Sequence, residues 1–308
     1  MNYAPHTVDL SRLPAPSAIE ALDPVTLKAA FLGRFVYFWD EQRERDPSLP
    51  AFDVQGLEAN PASIFAKAWA YLRLLDRARV NDAVRSVLAP LATGSNLDNI
   101  VARQGLQRLV VVPASEASSA PALMETDAAL LRRYLLSFDR PSAGSAGRYL
   151  YEVFRAFPIA GDARVNGRAI HGRRGDTDLV VSGPAGRAAT DAEMTAVRAA
   201  VLDPSVLPEA VSVSVLRANR FLYSVMLVIE VPPGPDASIL ASEAATRVRA
   251  ATDERTVIGG EIPAGFIAGA AYGPNVIKVR DQTPIAITPD PYTVPVCVGV
   301  TVTAEVRT

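Results

Sequence analysis

One cysteine and two histidines make up the scarcest chemistry of this 308-residue sequence. Cys297 on its own can form no intrachain disulfide and no cysteine cluster for zinc. It lies between valines in an alternating run, with no electropositive partner nearby, so a structural thiol is expected. His6 sits in a proline-rich opening and His171 in a Gly/Arg-rich turn. A histidine metal site or a nucleophile–histidine pair therefore has almost no material. An excess of charge of one sign is missing too: 31 Lys and Arg stand against 33 Asp and Glu, a net charge of -2. A nucleic-acid binder usually carries a basic surplus, so that class loses weight. No run of about 18 apolar residues occurs, and MNYAPHTVDLSRLPAP lacks a basic start followed by an apolar run. Neither a membrane span nor a signal peptide is expected, and synthesis in the cytoplasm fits.

What is present is enough apolar material to fold. Hydrophobic residues make up 49% and charged residues 21%, too apolar a balance for disorder. The length exceeds what one core usually organises, so two or three domains are expected. Pro5, Pro14, Pro16 and Pro24 mark residues 1 to 24 as an extended arm. Leu27, Phe31, Phe35 and Phe38 then recur at helical spacing up to about Arg45. Asn60-Pro61 is a helix start, since Asn accepts from free N–H groups and proline suits the first turn. The apolar periodicity that follows runs through Ile64, Leu72, Val80, Val87 and Leu91 to Gly94. A helix over 61 to 92 spans on the order of 45 Å, a length that suits bundles.

The segment TGSNLD raises the question of a phosphate or metal loop. It reads better as a corner. Gly94 stops one helix, Ser95 or Asn96 caps a short one, Asp98 lies in its first turn, and Gly105 ends it. Thr126 caps a further helix, and DRPSAGSAGR joins it to a second with Tyr149, Leu150, Val153, Phe154 and Phe157 facing a core. From Ile159 the texture changes to short β-prone runs, ARVNGRAI and TDLVVSG. A helix opened by a Thr190/Glu193 capping box follows. VSVSVLRA, FLYSVMLVIEV, the helical DASILASEAATRVRAAT and NVIKVRD repeat that order. The terminal TVPVCVGVTVTAEV alternates strictly, with Val294, Val296, Val298, Val300 and Val302 on one face.

No site template is met. SAGSAG, SGPAG and GGEIPAGFIAG fail both the phosphate-loop and the dinucleotide patterns, and read as turns. Arg173, Arg174, Asp176 and Asp178 share one turn, an arrangement open to an anion or a partner but more often a solvated face. Paired carboxylates remain as catalytic raw material, and a hydrolase needs two of them facing across a cleft.

The block ANPASIFAKAWAYLRLLDRARVNDAVRSVLAPLATGSNLDNIVARQGLQRLVV resembles the J-like baseplate wedge proteins of contractile phage tails and phage-tail-like bacteriocins (tailocins). LSRLPAPSAIEALD and the helix pair joined by DRPSAGSAGRYLYEVFRA extend the resemblance, and it runs loosely through both α/β segments. VNGRAIHGRRGDTDLVVSG departs from the pattern, being shorter and more basic than the family's usual turn.

The resemblance implies a structural protein of the tail baseplate, with no reaction and no cofactor or metal. It would be a hetero-oligomer in a six-fold baseplate. A second copy of the chain and smaller wedge proteins would be its partners, with contacts to tail hub and sheath but not to nucleic acid. By the same resemblance Phe65, Trp69, Leu72, Leu75, Arg79 and Val80 are candidates for the partner interface. The expected fold class is α+β and multidomain: an N-terminal arm and long-helix bundle domain at 1–112, a linker and helical hairpin at 113–158, a first α/β domain at 159–210, and a second with a C-terminal β-strand at 211–308. The competing reading is a carboxylate-based cell-wall hydrolase at the tail tip.

Overall fold

A computed structural model of the chain describes residues 16–53, 57–114, 120–234 and 236–307. The first fifteen residues of the expected arm, with His6, and residues 115–119 of the expected linker lie outside the described residues. The fold is α+β, with helices leading and strands concentrated toward the C-terminus. Contacts divide the chain into two compact units, one within residues 7–107 and the other within 108–308.

The first unit is helical. Helix α1 (Pro24–Arg45) starts where the Asp23 carboxylate accepts the N–H groups of Val25 and Thr26. Helix α2 (Pro61–Ser86) starts where the Asn60 side chain accepts the Ala62 N–H at 2.8 Å. The capping logic read from the sequence is met at α2. Its far end is not where periodicity put it: α2 stops at Ser86 instead of continuing to residue 92. Pro90 gives the reason, because it has no N–H to return to the Ser86 carbonyl and disfavours helical geometry in the residue before it. Helix α3 (Gly94–Ala102) follows and buries Leu97 and Val101. Here Thr93, rather than Ser95 or Asn96, occupies the N-cap position, without a side-chain cap hydrogen bond. Asp98 consequently falls beyond the first turn. Gly94 does not stop α2, which has already ended at Ser86; it is the first residue of α3 and holds a left-handed φ of +54°.

The second unit opens on a two-stranded antiparallel ribbon, β1 (Val110–Val112) with β2 (Leu123–Met124). Helices α4 (Asp127–Ser137) and α5 (Ala146–Ala156) follow, capped by Thr126 and Ser145. All five residues expected to face a core from the second of these, Tyr149, Leu150, Val153, Phe154 and Phe157, are buried. The corner between the two helices is close-packed: a Cβ on Gly147 would collide with Asp139, and Gly144 holds a left-handed φ of +73° against Pro208.

The α/β part then runs through β3 (Asp162–Asn166), a single turn α6 (Arg168–His171), β4 (Asp176–Ser182) and α7 (Asp191–Val201). The α7 start shows the reciprocal Thr190/Glu193 capping box. Gly167 ends the strand within ARVNGRAI and gives the run's second half to α6. The chain continues through β5 (Ser212–Arg217), β6 (Asn219–Val231), α8 (Ala237–Glu254), α9 (Phe266–Ala271), β7 (Lys278–Asp281) and β8 (Thr293–Val306). Helix α9 begins within GGEIPAGFIAG, a stretch read as turns from its glycines.

Two three-stranded sheets result, β3-β4-β5 and β7-β6-β8, with β4–β5 and β6–β8 parallel. One chain segment joins them. At the β5–β6 junction the Ala218 N–H bonds Val181 in β4 and the Asn219 N–H bonds Tyr292 just before β8. Residues on both sides of position 210 therefore share one hydrogen-bonded scaffold.

The strict alternation expected of β8 is broken at Val298. Tyr223 pairs with Cys297 but Ser224 pairs with Gly299, so Val298 is the extra residue of a bulge and stands 59% exposed. Before the bulge Val294 and Val296 pack with Val180, Ala218 and Ile258, while Cys297 joins Tyr223, Val225 and Val248 in a separate cluster. After it, Val300 and Val302 lie against that second cluster. One extra residue lets a single row of valines serve two cores.

Deleting Val298 should remove the bulge and leave each later residue opposite its present β6 partner, so the pairing should survive at a cost of about 1–3 kcal/mol, whereas Val298→Thr should shift stability by less than about 1 kcal/mol. Urea unfolding followed by near-UV circular dichroism compares the two. For the corner, Gly94→Val should cost about 1–2 kcal/mol and Gly94→Asn clearly less, because only the β-branched residue is strained at positive φ. Thermal unfolding measures the difference.

Candidate assembly interface

Helix α2 has two apolar faces and covers only one of them. At 100° per residue, Phe65, Trp69, Leu72, Leu75, Arg79 and Val80 share an arc of about 140°. The buried residues Ser63, Ala66, Ala70 and Asn81 lie on an arc centred roughly 150° away. That second arc carries small side chains, which permit close approach, and α1 is the helix packed against α2. All six residues singled out from the sequence are exposed, with Phe65 at 71% and Leu72 at 62%. The structure thus brings them together as one surface of one helix. Trp69 differs from the rest, because its ring also meets Phe31 of α1 at 5.3 Å between centroids.

The pair is held with very little core. In α1 only Leu27 is fully buried, and in α2 only the four small residues above. Polar ties supply the register instead. Glu58 lies between Lys28 of α1 and Lys67 of α2, and these hydrogen-bonded ammonium groups hold its carboxyl down at about 2. Asn81 pins the segment ahead of α1: its amide accepts the Glu20 N–H at 3.1 Å and donates to the Glu20 carbonyl at 2.8 Å. The end of the expected arm is thus fastened across its own α2.

The 108–308 unit carries polar clusters that sequence spacing did not reveal. Arg133 of α4 donates to both oxygens of Glu125, at 3.0 and 2.7 Å, and both side chains are almost fully buried. The same carboxylate accepts the Leu109 N–H, and Arg108 bonds the Glu125 carbonyl and Asp127. The turn with Arg173, Arg174, Asp176 and Asp178 is another such cluster, and not wholly the solvated face that mixed charge suggests. Arg173 grips the buried Asp178 at 2.6 and 2.7 Å and also reaches Asp176. Tyr292 donates its hydroxyl to Asp178 at 2.7 Å. Burial, reinforced by that hydrogen bond to a carboxylate, pushes the phenol up to about 12. His171 stays local, between the Asn166 carbonyl and the Arg173 N–H. Arg173 and Asp178 share the turn that the sequence marks, while Tyr292 reaches them only through the fold and no local signal announces it.

Glu125, Asp178 and Glu193 are each held by an arginine. Among the described residues no group of three or more His, Cys, Asp or Glu is placed to hold a metal ion. None of the described helices is long and apolar enough to cross a membrane. What the geometry shows is a helical scaffold in which one apolar face of α2 is uncovered among the described residues.

Comparison with known proteins agrees with that class. The family model for the baseplate J-like N-terminal domain matches residues 58–115, from just ahead of α2 to just past β1. The chain is also 27% identical, over 293 residues, to Baseplate protein J of Escherichia phage P2, covering 91% of each sequence. Residues 58–115 thus carry the likeness to the baseplate J-like N-terminal domain, and nearly the whole chain is similar to a phage baseplate protein, which supports a structural role in a baseplate.

The buried pair gives a direct test of how this scaffold is held. Glu125→Gln or Arg133→Met should each destabilise the 108–308 unit by about 3–5 kcal/mol, by leaving a buried charge or donor without its partner. The double change Glu125→Leu with Arg133→Met should recover much of that loss, and denaturant midpoints of the three variants read it.

Proposed function

We propose that the chain is a wedge component of the baseplate of a contractile injection particle, in which a second copy and smaller wedge proteins assemble with it into a ring around the central hub. The exposed stripe of α2 is the seam in this reading. The observation that carries it is the two-faced helix: α1 covers the Ala/Ser side, and the side with Phe65, Leu72, Leu75 and Val80 has no cover within the described chain. Apolar area of this extent on a protein whose relative is a baseplate component favours burial by another subunit. Each such side chain, once buried, contributes about 1.5–3 kcal/mol.

No reaction is assigned to the chain. Its partners in this reading are the second copy, the other wedge proteins, and contacts to hub and sheath.

The test is complementation of a deletion strain with Phe65→Asp or Leu72→Glu. Both positions are exposed, so the isolated chains should melt within about 1 kcal/mol of the parent. Negative-stain images should nonetheless show particles lacking intact baseplates and sheathed tails. Normal particles from either variant would refute the α2 seam.

A further inference from the structure

A recess of about 520 Å³ lies beside the β1–β2 ribbon, lined by Val111, Leu123, Met124, Ala128, Arg132 and Ile159 among others. Three observations there belong together. Arg132 stacks its guanidinium on Phe154 at 3.6 Å and donates from Nη2 to the Ala160 carbonyl at 3.2 Å, but its buried Nε–H meets no acceptor. No carboxylate of the described residues lies within ion-pair distance of it. Glu125 is held by Arg133 and the Leu109 N–H, while Asp162 accepts the N–H groups of Ile258 and Ala163.

The second observation is the rim. Leu123, Met124 and Ile159 are exposed, as are Val110 and Val112 on β1. The third is the ribbon itself, which has two strands only, so each strand keeps one edge that pairs with no strand among the described residues. Two-stranded ribbons are marginal alone, and a free edge presents a row of N–H and C=O groups to any extended chain.

We propose that this recess receives an extended segment of another baseplate chain, adding to the β1–β2 ribbon, with apolar side chains on the rim and an Asp or Glu side chain on Arg132. The chemistry of the occupant follows from the donors left open. A guanidinium that lines a partly apolar recess and has no ion pair among the described residues selects a carboxylate, and strand edges select extended backbone. Burial pulls the Arg132 guanidinium down and pushes the Asp162 carboxyl up, so the cation's local compensation is weak and an incoming anion improves it. The inference rests on the baseplate reading for the source of the segment, but it concerns a surface separate from α2.

The experiment places a photo-reactive benzoylphenylalanine at Met124, on the exposed rim, in particles that assemble normally. Mass spectrometry of irradiated, purified baseplates should find a cross-link to one segment of another baseplate chain, with an Asp or Glu within a few residues of the attachment point. Arg132→Met should lower its yield by about tenfold or more, the scale of a lost charge-assisted contact. Arg132 also touches Phe154 and Ala160, so a second pair of variants guards against misfolding. Leu123→Glu should abolish the cross-link by repelling the acid, and Leu123→Lys should retain it. No intermolecular cross-link in assembled baseplates would overturn the proposal, as would a yield indifferent to Arg132→Met and to the sign of charge at residue 123. In either case, incorporation of the labelled chain into baseplates leaves the wedge reading standing.

Discussion

A helix can bury only the arc of its surface that neighbouring elements cover, and the N-terminal unit is built around that limit. Helix α2 gives its Ala66/Ala70 side to α1, where small residues let two backbones approach closely. This leaves an interface with few large side chains in it, and so a pair with little hydrophobic support of its own. The larger apolar residues, Phe65, Leu72, Leu75 and Val80, sit on the other side. In a lone monomer that distribution wastes burial. In the proposed wedge it is economical, because the weak internal contact positions the helix and the strong external one is kept for assembly. The Glu58 and Asn81 ties fit the same division, since they set register without filling a core.

The 108–308 unit solves a different problem, holding a mixed sheet system in one geometry. Several of its buried polar groups join segments distant in sequence. Glu125 and Arg133 draw Leu109 against the start of α4, Arg173 and Tyr292 meet on Asp178, and Asp162 reaches Ile258. Buried ion pairs of this kind add little net stability over a well-packed apolar core, but they penalise misregister heavily. The bulge at Val298 and the β5–β6 junction act likewise, because each fixes which residues face which core.

Local chemistry was legible in the sequence, and non-local pairing was not. Asn60, Thr126 and the Thr190/Glu193 box each cap the helix their spacing indicates, because capping involves only three or four residues. Amphipathic periodicity placed the α5 core residues for the same reason. It overran at α2, where apolar recurrence continues past Ser86 but Pro90 removes the hydrogen bond a helix would need. It also missed the phase change in β8, which depends on β6 as partner, and hid α9 under its glycines. Of the proposed assembly surface, the six α2 residues were marked by family resemblance; the opposition between their face and the α1-packed face needed the structure. Arg132, with its open Nε–H, carries no sequence signature at all.

The central claim is that the outward stripe of α2 is covered by another chain in the baseplate. Hydroxyl-radical footprinting reads it directly, by comparing side-chain oxidation of the isolated chain with that of assembled baseplates. The account predicts that oxidation of Phe65, Leu72 and Val80 falls by roughly an order of magnitude on assembly, as expected for residues entering a dry interface centre. Oxidation of these three residues that is unchanged between the isolated chain and the baseplate would contradict it.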